Sequence, residues 1–487
     1  MFDSLIWTLQ NFSIEILASG RFDVYQCALD NFKTSPIFGT SFIEEPVGIG
    51  APPDYFLTDI IPARYHDTYL QLLSSTGIIG LIGYLYHRYV TLVPFFQHKT
   101  SEKWLYFFEI LVMIGVSVFD CHFFNIGPGI IYGLALCHLD QVNQIDCLKV
   151  ACDIPSGLYF KADYTITMGE EKTSLYSDPA KAVCGQIILA DLGIPRNLFE
   201  STKTADAYLI EETDLKLPQR INPAAHKGTY GHTCVIAGQK SGAAIIAASA
   251  ALHFGSGLTS LIKTSESNLE QFKISPQLMI ADSIPAKASA LVIGPGFADQ
   301  SDKELQVFIN WFKNTNKPAL VLDAGIFSLE NLCSILEELN KLDGGRIILT
   351  PHLSECQKLF SKIKESHQEL ELSDEEFSVK NLANSAESKI KLGKIFNQLY
   401  PNTTLVMKSA NTFIASGGHT YICKDGVQSL AKGGSGDVLS GMLGSLLAQG
   451  YSCLDAAITG VEEHAIAAKK IGKEAYDLSP EKLIENI

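Results

Sequence analysis

The pattern of apolar and polar positions changes character near residue 143. Up to about residue 140 the chain is aromatic and apolar with weak alternation. From about Asn143 it becomes a series of short apolar runs closed by Gly, Asp or Pro. The clearest are CLKVACDIPSGL, GQIILADLGIP, HTCVIAGQ, ALVIGPGF, PALVLDAGIF, RIILTPH and TTLVMKS. Such runs predict strands covered on both faces, as in a largely parallel sheet. Gly242–Phe254 and Val438–Gln449, lying between runs, predict helices. Strand–helix alternation of this kind implies an α/β fold with a doubly wound sheet. Glu200–Lys227 is polar and predicts a linker. Three parts follow: a mainly helical apolar segment over 1–140, a short α/β segment over 141–215, and a full α/β unit over 216–487.

The opening MFDSLIWTLQNF lacks the basic region and cleavage site of a signal peptide. Three later runs, Ile78–Phe96, Trp104–Phe119 and Ile126–Leu139, are apolar and edged by Tyr or Trp. Each is short against the roughly 20 residues of a spanning helix, yet aromatic edges suit a membrane interface. Membrane association through residues 76–139 is therefore expected, with a cytoplasmic catalytic part behind it.

Composition excludes some classes. With 46% hydrophobic and 19% charged residues the chain is globular, and its 487 residues allow two to four domains. A formal net charge of -15 argues against a nucleic-acid partner. The 11 cysteines include no Cys-x-x-Cys, and the closest pair is Cys147 and Cys152, so reduced thiols are expected rather than zinc or disulfides.

Chemistry concentrates where apolar runs end, because loops at the carboxyl ends of strands carry function in open α/β sheets. Those ends hold Asp153, Gly294–Gly296, Asp323, His352 and Lys408. The most specific segment is Leu430–Gly450, LAKGGSGDVLSGMLGSLLAQG. Glycines 433, 434 and 436 permit close backbone approach, and the helix after them offers free amides and a dipole to an anion. Asp437 at that helix mouth suits a general base acting on a hydroxyl, or an ordinary N-cap. Lys408, in VMKSANT, can pair with a phosphate while loop amides and Thr412 contact a nucleotide. No Walker A loop is present.

These segments, in the order HKGTYGHTCVIAG, SGAAIIAASAALHFGSGL, LVIGPGF, LVLDAGIF, ILTPHLSE, VMKSANT and GGSGDVLSGMLGSLLAQG, resemble the ribokinase-like NAD(P)H-hydrate dehydratase family over about residues 217–475. The resemblance implies an ADP- or ATP-dependent lyase acting on hydrated NADH or NADPH and releasing AMP and phosphate. It implies that Ala243, Gly296, His352 and Asp437 line the substrate site. Lys408, Ser409, Ala410, Asn411, Thr412 and Gly436 would hold the nucleotide. Asp437 would be the catalytic base, and Mg2+ would accompany the nucleotide. His352 read by itself is more readily a helix-capping or core histidine, and Asp323 equally meets a magnesium-bound phosphate or caps the next helix. Ser354, Ser409, Asn411 and Ala298 depart from the glycines usual in the family.

CDIPSGL, ADYTITMGEEK and GQIILADLGIP resemble the NAD(P)H-hydrate epimerase, a Rossmann-like domain of which only part is present. Asp153 would contact substrate there and Ser156 would ligate K+. No Asn-Asn-Gly-Gly-Asp loop precedes them, so epimerase activity is expected to be lost. Residues 19–90 resemble O-antigen ligase and polymerase membrane proteins, through SGRFDVYQCALDNFKTSPIFGTSF and RYHDTYLQLLSSTGIIGLIGYL. His66 matches that family's histidine, and Arg21 or Arg64 its arginine. Two rival readings are a vitamin-precursor kinase of the ribokinase-like superfamily and an inactive membrane-tethered chimera. A homo-oligomer is expected.

Overall fold

In the computed structural model the chain divides into two compact units, Met1–Cys137 and His138–Ile487. The structure describes residues 29–37 except 31, 78–82 except 80, and 146–487 except 156–157, 159, 192, 194–204, 298–301, 317, 343 and 345. In the first unit, the Ile78 amide donates to the Pro36 carbonyl at 2.9 Å, tying two short helical pieces together. Trp104–Phe119, Ile126–Leu139, nearly all of Ile78–Phe96, Arg21, Arg64 and His66 lie outside the described residues. Among the described residues no helix is long and apolar enough to cross a membrane.

The second unit opens with a three-stranded parallel sheet, β1 (Val150–Cys152), β2 (Tyr164–Met168) and β3 (Gln186–Ala190). Between β2 and β3 lie a 3-10 turn, Thr173–Tyr176, and the short helix α1 (Asp178–Val183).

The main sheet has ten strands: β4 (Tyr208–Leu209), β5 (His232–Ile236), β6 (Leu258–Ile262), β7 (Met279–Ala281), β8 (Ala290–Ile293), β9 (Ala319–Leu322), β10 (Arg346–Leu349), β11 (Thr403–Met407), β12 (Thr412–Ser416) and β13 (His419–Cys423). Their spatial order is β4-β13-β12-β11-β10-β9-β8-β5-β6-β7. Pairing is parallel except where β12 runs against β11 and β13. Chain order reverses between β5 and β8, and ligands of open α/β sheets bind at such a switch. The polar stretch Glu200–Lys227 is more than a linker, because its Tyr208–Leu209 forms the edge strand β4.

Successive residues of each buried strand point to opposite faces, and helices cover both. On one face Val235, Val292, Val321, Ile348 and Val406 pack with α2 (Ser241–His253), α7 (Ser435–Ala448) and α8 (Cys453–Ile471). On the other, Ile236, Ile293, Leu322, Leu349 and Leu405 pack with α3 (Asp302–Asn314), α4 (Leu332–Asn340), α5 (Leu353–Ser366) and α6 (Ala386–Leu399). Helix α2 is nearly all small or aliphatic, SGAAIIAASAALH, which lets α7 press against it. At their closest approach a Cβ on Gly441 would stand 2.0 Å from the Ala247 carbonyl oxygen, so any side chain there separates the helices. That contact fixes where the mouth of α7 sits above the strand ends.

Candidate functional site

Three of the residues picked from strand ends, Asp323, His352 and Lys408, gather beside the mouth of α7. Lys408 follows β11 and His352 follows β10; the two form an isolated parallel bridge. The Lys408 amide donates to the Pro351 carbonyl at 2.8 Å, so the loops after both strands rise side by side. Asp323 follows β9 and is buried. Its Oδ1 accepts from Lys408 Nζ at 2.8 Å, and its Oδ2 accepts from Ser440 Oγ at 2.5 Å. Ser440 lies on α7 one turn beyond Asp437, so this hydroxyl ties the helix mouth to the end of β9.

Gly434 stands just before helix α7 with a left-handed φ of 92°, and a Cβ added to it would fall 2.4 Å from Pro480 Cγ. Asp437 is the third residue of the helix and caps nothing, which removes the N-cap reading. Gly436 faces Lys408: a Cβ built on it would lie 3.5 Å from Lys408 Nζ. Below the turn, His464 on α8 donates from Nε2 to the Ser435 carbonyl at 2.9 Å, a direction fixed because a carbonyl only accepts.

Four groups share one electrostatic environment and are driven apart by it. Burial alone would raise the Asp323 carboxyl, but Lys408 beside it and the hydroxyls of Ser440 and Thr350 hold it below the ordinary range. Lys408 is raised: burial opposes its charge, and Asp323, Glu355 and Asp437 outweigh that. Asp437 is pushed up to about 7 by burial and then by the Asp323 charge, against the pull of Lys408. Glu355 also rises to about 7, mainly through burial. One carboxylate therefore stays ionised as the partner of the lysine, while another titrates near neutrality. Such separation marks acid–base sites.

His352 does what a capping histidine does. Its Nδ1 accepts from the Glu355 amide at 3.3 Å while Glu355 Oε2 accepts from the His352 amide at 2.9 Å, a reciprocal cap on α5. It is nevertheless exposed beside Lys408, which with burial lowers its pKa. Asp323 does not cap the following 3-10 turn. Across the sheet's switch point, the Gly296 carbonyl accepts from the Lys240 amide at 2.9 Å, and the Lys240 carbonyl from the Ala243 amide at 3.1 Å. Ala243 and Gly296 thus line one loop junction at the start of α2.

The 409–411 turn, expected to hold a nucleotide, is tied to distant parts of the chain. Ala410 and Asn411 turn polar atoms toward the upstream segment. Asn411 is buried and donates from Nδ2 to the Tyr176 carbonyl at 2.9 Å. Ser409 Oγ accepts from Lys389 Nζ at 2.7 Å. Thr412 opens β12 and is partly buried. Asp153 stands apart from this cluster, at the end of β1 with φ 69°, where Lys172 Nζ lies 2.5 Å from its Oδ1. Ser156 lies outside the described residues. Sequence reasoning missed Ser440, Glu355 and Lys181. The His-x-x-Glu cap spacing and the one-turn spacing from Asp437 to Ser440 could have revealed the first two.

A largely parallel sheet of reversed strand order, whose strand ends bring a lysine and a buried aspartate to a glycine-lined helix mouth, defines an α/β protein with a candidate anion site. The family model described as NAD(P)H-hydrate dehydratase matches residues 233–487. This chain belongs to the NAD(P)H-hydrate dehydratase family. It is 36% identical over 359 residues to the bifunctional NAD(P)H-hydrate repair enzyme Nnr of Helicobacter pylori, covering 72% of this chain and 70% of that protein. That alignment is longer than the stretch 233–487 and takes in sequence outside it. The ADP-dependent (S)-NAD(P)H-hydrate dehydratase of Lactococcus lactis is 29% identical over 299 residues, covering 57% of this chain and 97% of its own. A solved ADP/ATP-dependent NAD(P)H-hydrate dehydratase from Bacillus subtilis, co-crystallized with ATP/Mg2+, is 24% identical with a TM-score of 0.44, covering 55% of this chain and 91% of its own. A second family model, O-antigen ligase, matches residues 5–85.

Proposed function

We propose that the catalytic domain, over 216–487, is a lyase that restores hydrated NADH or NADPH to NADH or NADPH, consuming ADP and releasing AMP and phosphate. The observation that carries this reading is the Asp437 carboxyl, raised to about 7 at the mouth of α7 beside the Lys408–Asp323 pair. Hydroxide is a poor leaving group and phosphate a good one, so the hydroxyl must be phosphorylated before elimination. Asp437 takes the hydroxyl proton as that oxygen bonds to the terminal phosphorus of ADP, and the bond to the bridging oxygen breaks to free AMP. Phosphate then leaves with its C–O electron pair, and the adjacent ring carbon gives up a proton to complete the double bond. The amides at Gly434–Gly436 and the positive end of α7 stabilise the transferring charge, and Lys408 adds its ammonium. Ala243, Gly296 and His352 line the nicotinamide side; the 408–412 backbone and Gly436 line the nucleotide side.

Mg2+ would be carried on the ADP phosphates; Asp323, charged and with its oxygens already accepting from Lys408 and Ser440, would meet the magnesium-bound phosphate rather than supply a free metal ligand. Magnesium would neutralise phosphate charge. The 141–215 segment is read as an epimerase remnant without epimerase activity, in which Asp153, paired with Lys172, would be the substrate contact and Ser156 the K+ ligand. Membrane association through 76–139 rests on the apolar runs there, and homo-oligomerisation is part of the same proposal. The test is incubation of the full chain with hydrated NADH and ADP. Return of NADH absorbance with stoichiometric AMP is expected; ATP-dependent phosphorylation of a vitamin precursor without NADH recovery would overturn the assignment.

A further inference from the structure

The segment left from the partial upstream domain is built into the main unit. Leu175, Tyr176, Ala180 and Cys184 are buried in the same core as Leu405, Met407 and Phe413, the residues of β11 and β12 on either side of the 408–411 turn. From this footing Lys181, on α1, extends its ammonium to three oxygens. It donates to the Ala410 carbonyl at 2.8 Å, to Asn411 Oδ1 at 2.9 Å and to the Lys424 carbonyl at 2.7 Å. An ammonium has three protons, and all are used. Asn411 then donates from Nδ2 to the Tyr176 carbonyl at 2.9 Å, so its side-chain amide is spent on the upstream segment from both ends.

A second cation works beside the first. Lys389 of α6 has a fully buried side chain and donates to Asp178 Oδ1 of α1 at 3.0 Å and to Ser409 Oγ at 2.7 Å. Ser409 Oγ in turn donates to the Asn411 carbonyl at 2.6 Å. Three successive residues of the turn, Ser409, Ala410 and Asn411, are therefore fixed by groups on or paired with Thr173–Val183. Glycine at 409 or 411 could make neither side-chain contact. Lys181 does not reach the Asp437–Lys408–Asp323 cluster in any of its bonds. It acts on the backbone that carries Lys408 and Thr412.

We propose that Lys181 is a positioning residue for ADP: the remnant segment has become a brace that holds the 409–411 turn in its nucleotide-binding shape. The proposal rests on reading residues 408–412 as the nucleotide loop. A loop already fixed before binding loses less conformational freedom when ligand arrives, so the brace acts on affinity rather than on the chemical step. The charge-assisted bonds involved are individually among the stronger ones in proteins.

The test uses the full chain and the substitution Lys181→Met, which keeps the aliphatic stem and removes all three donors. Expected are a roughly 10- to 100-fold weaker Kd and higher KM for ADP, as loss of one or two such bonds implies. The kcat at saturating ADP and the KM for hydrated NADH stay within about two-fold, since only the ADP term carries the lost preorganisation. A folded variant with wild-type ADP affinity overturns the brace, as does a kcat loss with unchanged KM for ADP. Lys408→Met in parallel separates the two readings. If it abolishes ADP binding while Lys181→Met leaves the affinity for ADP unchanged, the nucleotide loop stands and the brace falls. If the wild-type chain binds no ADP, both fall. Should Lys181→Met fail to fold, Asn411→Gly removes one of the three Lys181 bonds and the bond to the Tyr176 carbonyl from the loop side, and wild-type ADP affinity in that variant also overturns the proposal.

Discussion

Replacing Asp437 by Asn removes the proposed base with almost no change of shape. At pH 7 a carboxyl with a pKa of about 7 is ionised in about half the molecules, and at pH 6 in about one in ten. Wild-type kcat should therefore climb with pH and level off above about 7, following the deprotonated form that can accept a proton. A positioned general base contributes roughly 10²- to 10⁴-fold, so Asp437→Asn should lose about 3–5 kcal/mol of transition-state stabilisation. The neutral amide removes a negative charge next to the phosphate site, so Kd for ADP should stay the same or tighten. The assay is kcat for hydrated NADH at saturating ADP across neutral pH, with ADP binding followed by calorimetry. Asp323→Asn adds a check on sign. It deletes the charge that raises Asp437 and frees Lys408 to pull on it, so the limb moves below about 7. Undiminished turnover in Asp437→Asn, or persistence of the same limb in it, would refute Asp437 as the base.

Three further outcomes follow from the packing around the site. Gly434→Ala forces a left-handed alanine against Pro480 and should cost roughly 2 kcal/mol, read as a lower urea midpoint with loss of ADP binding. His464 is buried neutral with its pKa lowered to about 4, chiefly by burial. The unfolded chain thus binds a proton that the folded chain refuses between pH 6.5 and about 4, and stability falls as pH drops through that window. His464→Phe should flatten that slope, measured by denaturant midpoints at stepped pH. Lys389→Met leaves Asp178 without its cation and should cost about 3 kcal/mol, reduced by the partial exposure of Asp178 and measured as a fall in Tm.

Much of this was legible in the chain because buried parallel strands are written as uninterrupted apolar runs. Each run closed by Gly, Asp or Pro corresponds to an observed strand, and the polar residues ending β9, β10 and β11 are the ones that converge. The helix of Leu430–Gly450 was visible from its glycines, although it begins at Ser435 rather than Val438. What could not be read was pairing across long separations. Nothing local in VMKSANT says that Asn411 reaches back 235 residues to Tyr176, or that Lys181 crosses 229 residues to Ala410. The pairing of Asp323 with Lys408 and Ser440 is likewise a tertiary fact, which is why capping and phosphate contact both stood open for it. Strand β4 escaped notice because two residues at a sheet edge carry no periodicity.

The formal net charge of -15 stands against the proposed site for an anionic nucleotide, and the local balance resolves the conflict. Near neutral pH the cleft holds one ionised carboxylate, Asp323, already matched by Lys408. Burial keeps Asp437 and Glu355 half-protonated there, so the carboxyls nearest the phosphate site bring less negative charge than their number suggests. The side chains of the cleft then carry about one negative charge between them rather than two, which the positive end of α7 and the amides of its first turn offset in part. Desolvation thus serves two ends with one cause. It lifts Asp437 to where it can gain and lose a proton, and it lowers the repulsion an incoming phosphate would meet. Exposing Asp437 to water would return it to the ordinary carboxylate range, weakening it as a base and restoring a full negative charge at the helix mouth.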